Sequence, residues 1–95
     1  MKLIKLELDH NHLIGNLPQS ICRGVSLQDF TASENLLMGP IPKGLKNCTS
    51  LHRVRLEGNR LTGNISEGFG VYPNLTFIDL SDNEFYGEVS SSWGL

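Results

Sequence analysis

The chain has 95 residues, 39% of them apolar and 19% charged, with eight Lys and Arg against ten Asp and Glu for a formal charge of -2. That length allows one domain, and the near-neutral balance excludes a nucleic-acid binder driven by phosphate neutralisation as well as a disordered acidic tail. No apolar run approaches the ~18 residues of a membrane span, charges interrupt the apolar positions from Leu3 to Glu7 so that no export signal is encoded there, and two Cys are too few to organise a disulfide-built miniprotein.

The chain repeats itself with a period of 24 residues. The first unit, residues 3–26, opens on Leu3 and alternates through Leu6, Glu7 and Leu8, a short strand whose apolar residues share one face. Asn11, Leu13, Gly15 and Pro18 follow. The second unit, residues 27–50, repeats the pattern as Leu27, Phe30, Ala32, Asn35, Leu37, Gly39 and Pro42. The third, residues 51–74, reads Leu51, Val54, Leu56, Asn59, Leu61 and Gly63, with Ser66 in the proline place. The fourth, residues 75–95, reads Leu75, Ile78, Leu80, Asn83, Phe85 and Gly87, with Ser90 there, and no insertion disturbs the spacing.

One unit cannot bury its apolar row alone, so successive units must stack into a right-handed coil with a parallel sheet on one side. Four strands about 4.8 Å apart make that sheet roughly 14 Å high. An Asn after every strand suits a buried amide that satisfies turn backbone in adjacent coils, so Asn11, Asn35, Asn59 and Asn83 are expected to form a ladder. The recurrent glycines suit a positive φ or a close backbone approach, and Pro18 and Pro42 stop the chain from continuing as helix.

The pattern Leu-x-x-Leu-x-Leu-x-x-Asn-x-Leu-x-Gly-x-Ile/Leu-Pro, whole from Leu3 to Pro18, resembles the plant-type leucine-rich repeat over essentially the entire chain. The resemblance implies an α/β solenoid: four coils, a parallel sheet on the concave face and short 3-10 or irregular convex segments. Ile21 to Gly24, Asn47 to Leu51, Phe69 to Asn74, Asp79 to Gly87 and Trp93-Gly94 look like later ectodomain repeats of plant receptor-like kinases. In their order they most resemble the male-discoverer-interacting receptor-like kinases, whose ectodomains perceive peptides. Such receptors carry a signal peptide, Cys-rich caps, a membrane span and a kinase domain, so the chain reads as an uncapped piece of one, with sticky end coils and marginal stability when expressed alone.

Recognition in this family is attributed to the concave face, here Lys5, Asp29, Arg53 and Phe77 beside Glu7, Thr31, Arg55 and Asp79, then Asp9, Ser33, Glu57 and Ser81, and His10, Glu34, Gly58 and Asp82. These columns are expected to face solvent. Arg53 and Arg55 share one face of one strand and can hold a peptide carboxylate through charge-assisted hydrogen bonds, with Phe77 as an apolar contact. The competing arrangement is a self-paired ladder, Asp29 to Arg53 and Asp79 to Arg55 across adjacent strands.

Cys22 and Cys48 fall one stacking step and two residues apart, which places their Cα atoms roughly 6 Å from each other, within disulfide range. The alternative is two buried free thiols. Sequons at Asn47, Asn64 and Asn74 avoid the strand columns and the Asn ladder, as glycans on the flanks of an exported solenoid would. His10 and His12 flank Asn11, but no further ligand stands at a metal-binding spacing; His52 belongs to the sheet surface. Gly68-Phe69-Gly70 lacks the pattern of a phosphate loop. No nucleophile, base and orienting acid recur in a catalytic arrangement, so neither catalysis nor a cofactor is expected.

The leading expectation is therefore a binding module, part of the extracellular ligand-perceiving domain of a membrane-anchored plant receptor-like kinase. Its partners are a peptide or protein ligand and a co-receptor ectodomain, without an obligate oligomer. A secreted leucine-rich repeat inhibitor of a cell-wall-degrading enzyme and a cytosolic leucine-rich repeat scaffold are the alternatives.

Overall fold

The computed structural model describes residues 5–24 and 26–93; Leu3, which opens the first unit, and Leu95, at the end of the fourth, lie outside them. Strands β1 (Lys5–Glu7), β3 (Asp29–Thr31), β5 (Arg53–Arg55) and β7 (Phe77–Asp79) form a parallel four-stranded sheet in that order. Lys5 pairs with Asp29, Asp29 with Arg53 and Arg53 with Phe77, a register of one repeat per step. The solenoid and its concave parallel sheet are thus as the repeat requires.

A second parallel sheet, β2 (Ile14–Asn16), β4 (Leu36–Gly39), β6 (Arg60–Asn64) and β8 (Glu84–Tyr86), runs alongside, where sequence gave no strand. Here Ile14 pairs with Leu36 and Thr62 with Glu84, two residues short of a full repeat. The apolar residues of these stretches do not announce a strand, and β2, β4 and β6 each contain a glycine. They pair because the first sheet has already set the coil pitch to one strand spacing. Extended backbone then meets extended backbone, and its otherwise unsatisfied groups bond whatever the side chains are.

Beyond the second sheet the coils close by short turns. Helix α1 (Lys43–Lys46) follows Pro42, and helix α2 (Ile65–Gly68) is capped by Asn64, whose Oδ1 accepts from Ser66 N at 3.0 Å. A 3-10 turn spans Ser91–Trp93. Coils pass so closely here that a Cβ on Gly70 would overlap the Lys46 carbonyl oxygen, and one on Gly44 the carbonyls of Gln19 and Ile21. Glycine is required at both for packing, a role separate from the positive φ of 81° to 102° at Gly15, Gly39, Gly63 and Gly87. No helix among the described residues is long and apolar enough to cross a membrane.

The core lies between the two sheets and the turns. Phe30, Leu45, Leu51, Val54, Leu56 and Leu61 have no exposed surface, whereas Leu6, Leu8 and Leu13 in the first coil and Ile78, Leu80 and Phe85 in the fourth are half-buried. Inner coils have two neighbours and outer coils one. Each fully buried aliphatic side chain stabilises by about 1.5–3 kcal/mol, so the inner coils hold most of the folding energy. An aromatic cluster closes the far end: Phe69 meets Phe85 and Trp93 edge-on at 5.8 and 5.9 Å, and Trp93 stacks on Tyr72. Tyr72 Oη donates to Leu45 O at 2.8 Å and Trp93 Nε1 to Gly70 O at 2.9 Å, so neither polar tip is buried unpaired. Burial pushes the Tyr72 phenol up to about 12.

Asparagine runs through the stack between the sheets. Asn35 Oδ1 accepts from Asn11 N and Leu13 N at 2.9 and 3.0 Å, and its Nδ2 donates to Leu8 O, Ala32 O and Ser33 O. Asn59 accepts from Leu37 N at 3.1 Å and donates to Ala32 O and Leu56 O at 2.9 and 3.1 Å. Asn83 accepts from Leu61 N and donates back to Leu56 O. Each amide therefore ties its own turn to the preceding coil.

Candidate ligand-binding face

The concave sheet presents its intervening residues as a grid. Across the strands run Lys5, Asp29, Arg53 and Phe77, and beside them Glu7, Thr31, Arg55 and Asp79, each set one register step apart. The sheet is parallel and in register, so like positions stand side by side by construction.

Charge pairing on this grid departs from the self-paired ladder. Asp29 and Arg53 are neighbours, as are Arg55 and Asp79, but neither pair closes an ion pair. Asp29 is held at 3.9 Å by Lys5 instead, and Arg53 lies over the Phe77 ring with its guanidinium carbon 4.9 Å from the centroid. Arg55 Nε donates to Glu57 Oε2 at 3.0 Å, and its Nη2 engages the same oxygen. Burial decides the choice: Glu57 is 8% exposed, and leaving that carboxylate unpaired costs more than leaving the better solvated Asp79 to its other partners. Asp79 Oδ1 accepts from Ser81 N and Oγ at 3.0 and 2.6 Å. The repeat columns place Glu57 on the concave face beyond Arg55, but spacing alone does not show that Arg55 turns to it instead of to Asp79.

Three of these positions are not solvent-facing as expected. Thr31, Ser33 and Glu57 are 7%, 2% and 8% exposed: the short side chains of the second coil are overshadowed by longer ones on both sides, and Glu57 in the third is engaged by the Arg55 guanidinium. Lys5, Glu7, Asp9, Asp29, Thr31, Arg53 and Arg55 line the resulting depression of about 280 Å³.

Two carboxyls on this face are held below the usual carboxylate range. Burial alone would raise Asp9, but hydrogen bonds from the Ser33 hydroxyl and N–H at 2.8 and 2.6 Å outweigh it. Asp79 is lowered by the Ser81 hydroxyl and then its N–H. A depressed folded value means the folded state holds the proton less tightly, so these clasps contribute stability above the ordinary carboxylate range and lose it as pH falls through the folded values. The urea midpoint is expected to be flat above about pH 5 and to decline below about pH 4. Carboxyl-carbon NMR titration should show Asp79 moving back up in Ser81→Ala; an unmoved midpoint would refute the clasp.

Cys22 and Cys48 form a disulfide with their Cα atoms 6.0 Å apart. It fastens the end of the first coil to the end of the second, away from the grid. Of the sequon residues, Asn47 and Asn74 are exposed, while the half-buried Asn64 spends its carbonyl oxygen on Ser66 N and Oγ. All three lie outside the concave sheet. His10 and His12 are exposed, and among the described residues no three His, Cys, Asp or Glu converge as a metal site. A larger groove of about 670 Å³, lined by Phe69, Val71, Val89 and Trp93, lies among the turns beyond the second sheet, apart from the charged grid.

Three windows, residues 2–23, 50–71 and 74–95, match the leucine-rich repeat family model, together more than half of the chain. Among solved structures, a crystal structure of a TDR receptor superimposes with a TM-score of 0.84 at 38% identity, covering 96% of this chain and 16% of that one. A comparison with curated proteins returned no match. The repeat period, the stacked asparagines, the in-register concave sheet and these matches together place the chain in the leucine-rich repeat family, as a repeat module homologous to one part of a receptor.

Proposed function

We propose that this chain is part of the extracellular ligand-perceiving solenoid of a plant receptor-like kinase, and that its concave sheet holds an extended peptide by a carboxylate at Arg53 and Arg55. The observation that carries the reading is the state of the two guanidinium groups. Arg53 has no carboxylate partner among the described residues and rests on the exposed Phe77 ring, while Arg55 beside it forms an ion pair with a single carboxylate, that of Glu57 just past its own strand. Donors of this kind, already aligned on a rigid sheet, lose little conformational entropy on binding.

Three further observations support it. Homology to a TDR receptor extends over nearly the whole chain. The Cys22–Cys48 bond suits an oxidising compartment. The exposed Asn47 and Asn74 leave room for glycans on the flanks with the grid clear. The order of the later-repeat segments favours a parent among the male-discoverer-interacting receptor-like kinases, with a kinase domain and a co-receptor completing the signal.

The test is capture of synthetic dodecapeptides, pooled as C-terminal acids and as C-terminal amides, on the immobilised chain. Charge-assisted hydrogen bonds are worth about 1.5–3 kcal/mol each, so amidation is expected to lower capture about tenfold or more. The Arg53→Ala, Arg55→Ala double variant should then capture acids and amides alike. Equal capture of acids and amides by the unaltered chain would refute carboxylate anchoring.

A further inference from the structure

The grid around Arg53 and Arg55 is not uniformly basic. The second coil puts the short Thr31 on the concave face between Glu7 of the first coil and Arg55 of the third, and Asp9 and Arg53 line the same space. The result is a trough about 280 Å³ in volume with an acidic wall and a basic wall. Lys5 and Asp29 pair with each other at 3.9 Å along one border. Glu7 is exposed and, among the described residues, makes no ion pair.

The trough also has an unsatisfied floor. Thr31 is 7% exposed, and its buried hydroxyl closes no hydrogen bond, although it stands near enough to the Asp9 carboxyl to help hold it down, whereas the neighbouring Ser33 hydroxyl is taken by Asp9 at 2.8 Å. A buried hydroxyl without a partner is unfavourable.

We infer that this trough is a second subsite that selects a peptide with a Lys or Arg side chain about three residues before its terminal carboxylate: the cation at Glu7 and Asp9, the carboxylate at Arg53 and Arg55, and the intervening backbone passing over the second coil. The inference rests on the carboxylate reading above and deepens it. Its spacing comes from the sheet, since the first and third strands are two steps of about 4.8 Å apart. A peptide in polyproline II conformation advances about 3.1 Å per residue and returns to the same face every third residue. Three residues therefore span the two walls with both charged groups pointing down. The opposite polarity would set the ligand carboxylate against Glu7 and its cation against Arg53, which like charge forbids.

The probes are acetylated dodecapeptides of random background with a free C-terminus, Lys being walked through each of the five positions before the last residue and compared with norleucine there. Lys at the third position before the last is expected to tighten binding about fivefold over norleucine. That gain should vanish in Glu7→Gln, an exposed substitution that breaks no described contact. A dependence on the free carboxylate without any preference for Lys position would overturn the trough while leaving the carboxylate anchor standing. Equal gains at all five positions that persist in Glu7→Gln would mean general attraction to a chain of net charge -2, and would also overturn it. Indifference to both carboxylate and Lys would remove both readings together.

Discussion

Asn59→Ala is expected to destabilise the fold by about 3–5 kcal/mol, while Asn11→Ala should change it by less than about 0.5 kcal/mol. The residue and its position in the repeat are the same in both cases; only the surroundings differ. Asn59 is 8% exposed and bonds Leu37 N, Ala32 O and Leu56 O, joining two coils inside the core. Truncation leaves buried donors and acceptors without partners, at about 1–3 kcal/mol for each. Asn11 stands at the exposed end of the row, where it supplies its backbone N–H to Asn35 Oδ1 and keeps that N–H after truncation. Surface changes of that kind stay within about 0.5 kcal/mol. Urea melts of the two variants measure the contrast directly. Equal midpoints would mean that the ladder is not what holds the coils in register. An effect of the expected size is a large share of the 5–15 kcal/mol by which domains are stable, so Asn59→Ala should be mostly unfolded at a temperature where Asn11→Ala is intact.

Removal of the disulfide should have an effect of similar size by a different route. The Cys22–Cys48 bond closes a loop with a sequence separation of 26 residues, which in the chain-entropy account stabilises by about 3.5 kcal/mol through the unfolded ensemble. For a domain of this size that corresponds to a fall in Tm of about 15–25 °C. The paired Cys22→Ala, Cys48→Ala variant is the better probe than reductant alone, because Cys48 is 3% exposed and a free thiol there would remain in the packed core. Thermal melts of the oxidised chain, the reduced chain and the double variant should show the oxidised form well above the other two. Coincident melts would show that stacking alone determines the stability. The two experiments separate the fold's cross-coil fastenings: one is a hydrogen-bonded row inside the core, the other a covalent clip on the turn side.

The concave face shows where sequence reading stops being sufficient. Its membership followed from alternation at Lys5 to Glu7 and from the repeat period, and the register agrees residue by residue through Lys5, Asp29, Arg53 and Phe77. The partners chosen within it did not follow. Adjacency would have joined Asp29 to Arg53 and Asp79 to Arg55, but side chains respond to burial as well as to charge. Glu57 is covered and draws Arg55, Lys5 takes Asp29, and Arg53 settles over Phe77. The same limit applies to Thr31, whose column is exposed at Glu7 but whose own neighbours bury it.

Sequence by itself determined the coil count, the concave strands, the asparagine row and the feasibility of the Cys22–Cys48 bond, because a strict period of 24 residues forces like positions into contact once the chain winds. Tertiary structure alone decided the second sheet, the ion-pair partners, the unsatisfied Thr31 hydroxyl and the close approaches at Gly44 and Gly70. Those depend on how high one coil rises over the next and on which side chains overshadow their neighbours, quantities that belong to the stack and to no single repeat. Periodicity is a property of one chain read along its length. Burial and pairing are properties of the distance between coils, and only the folded solenoid sets that distance.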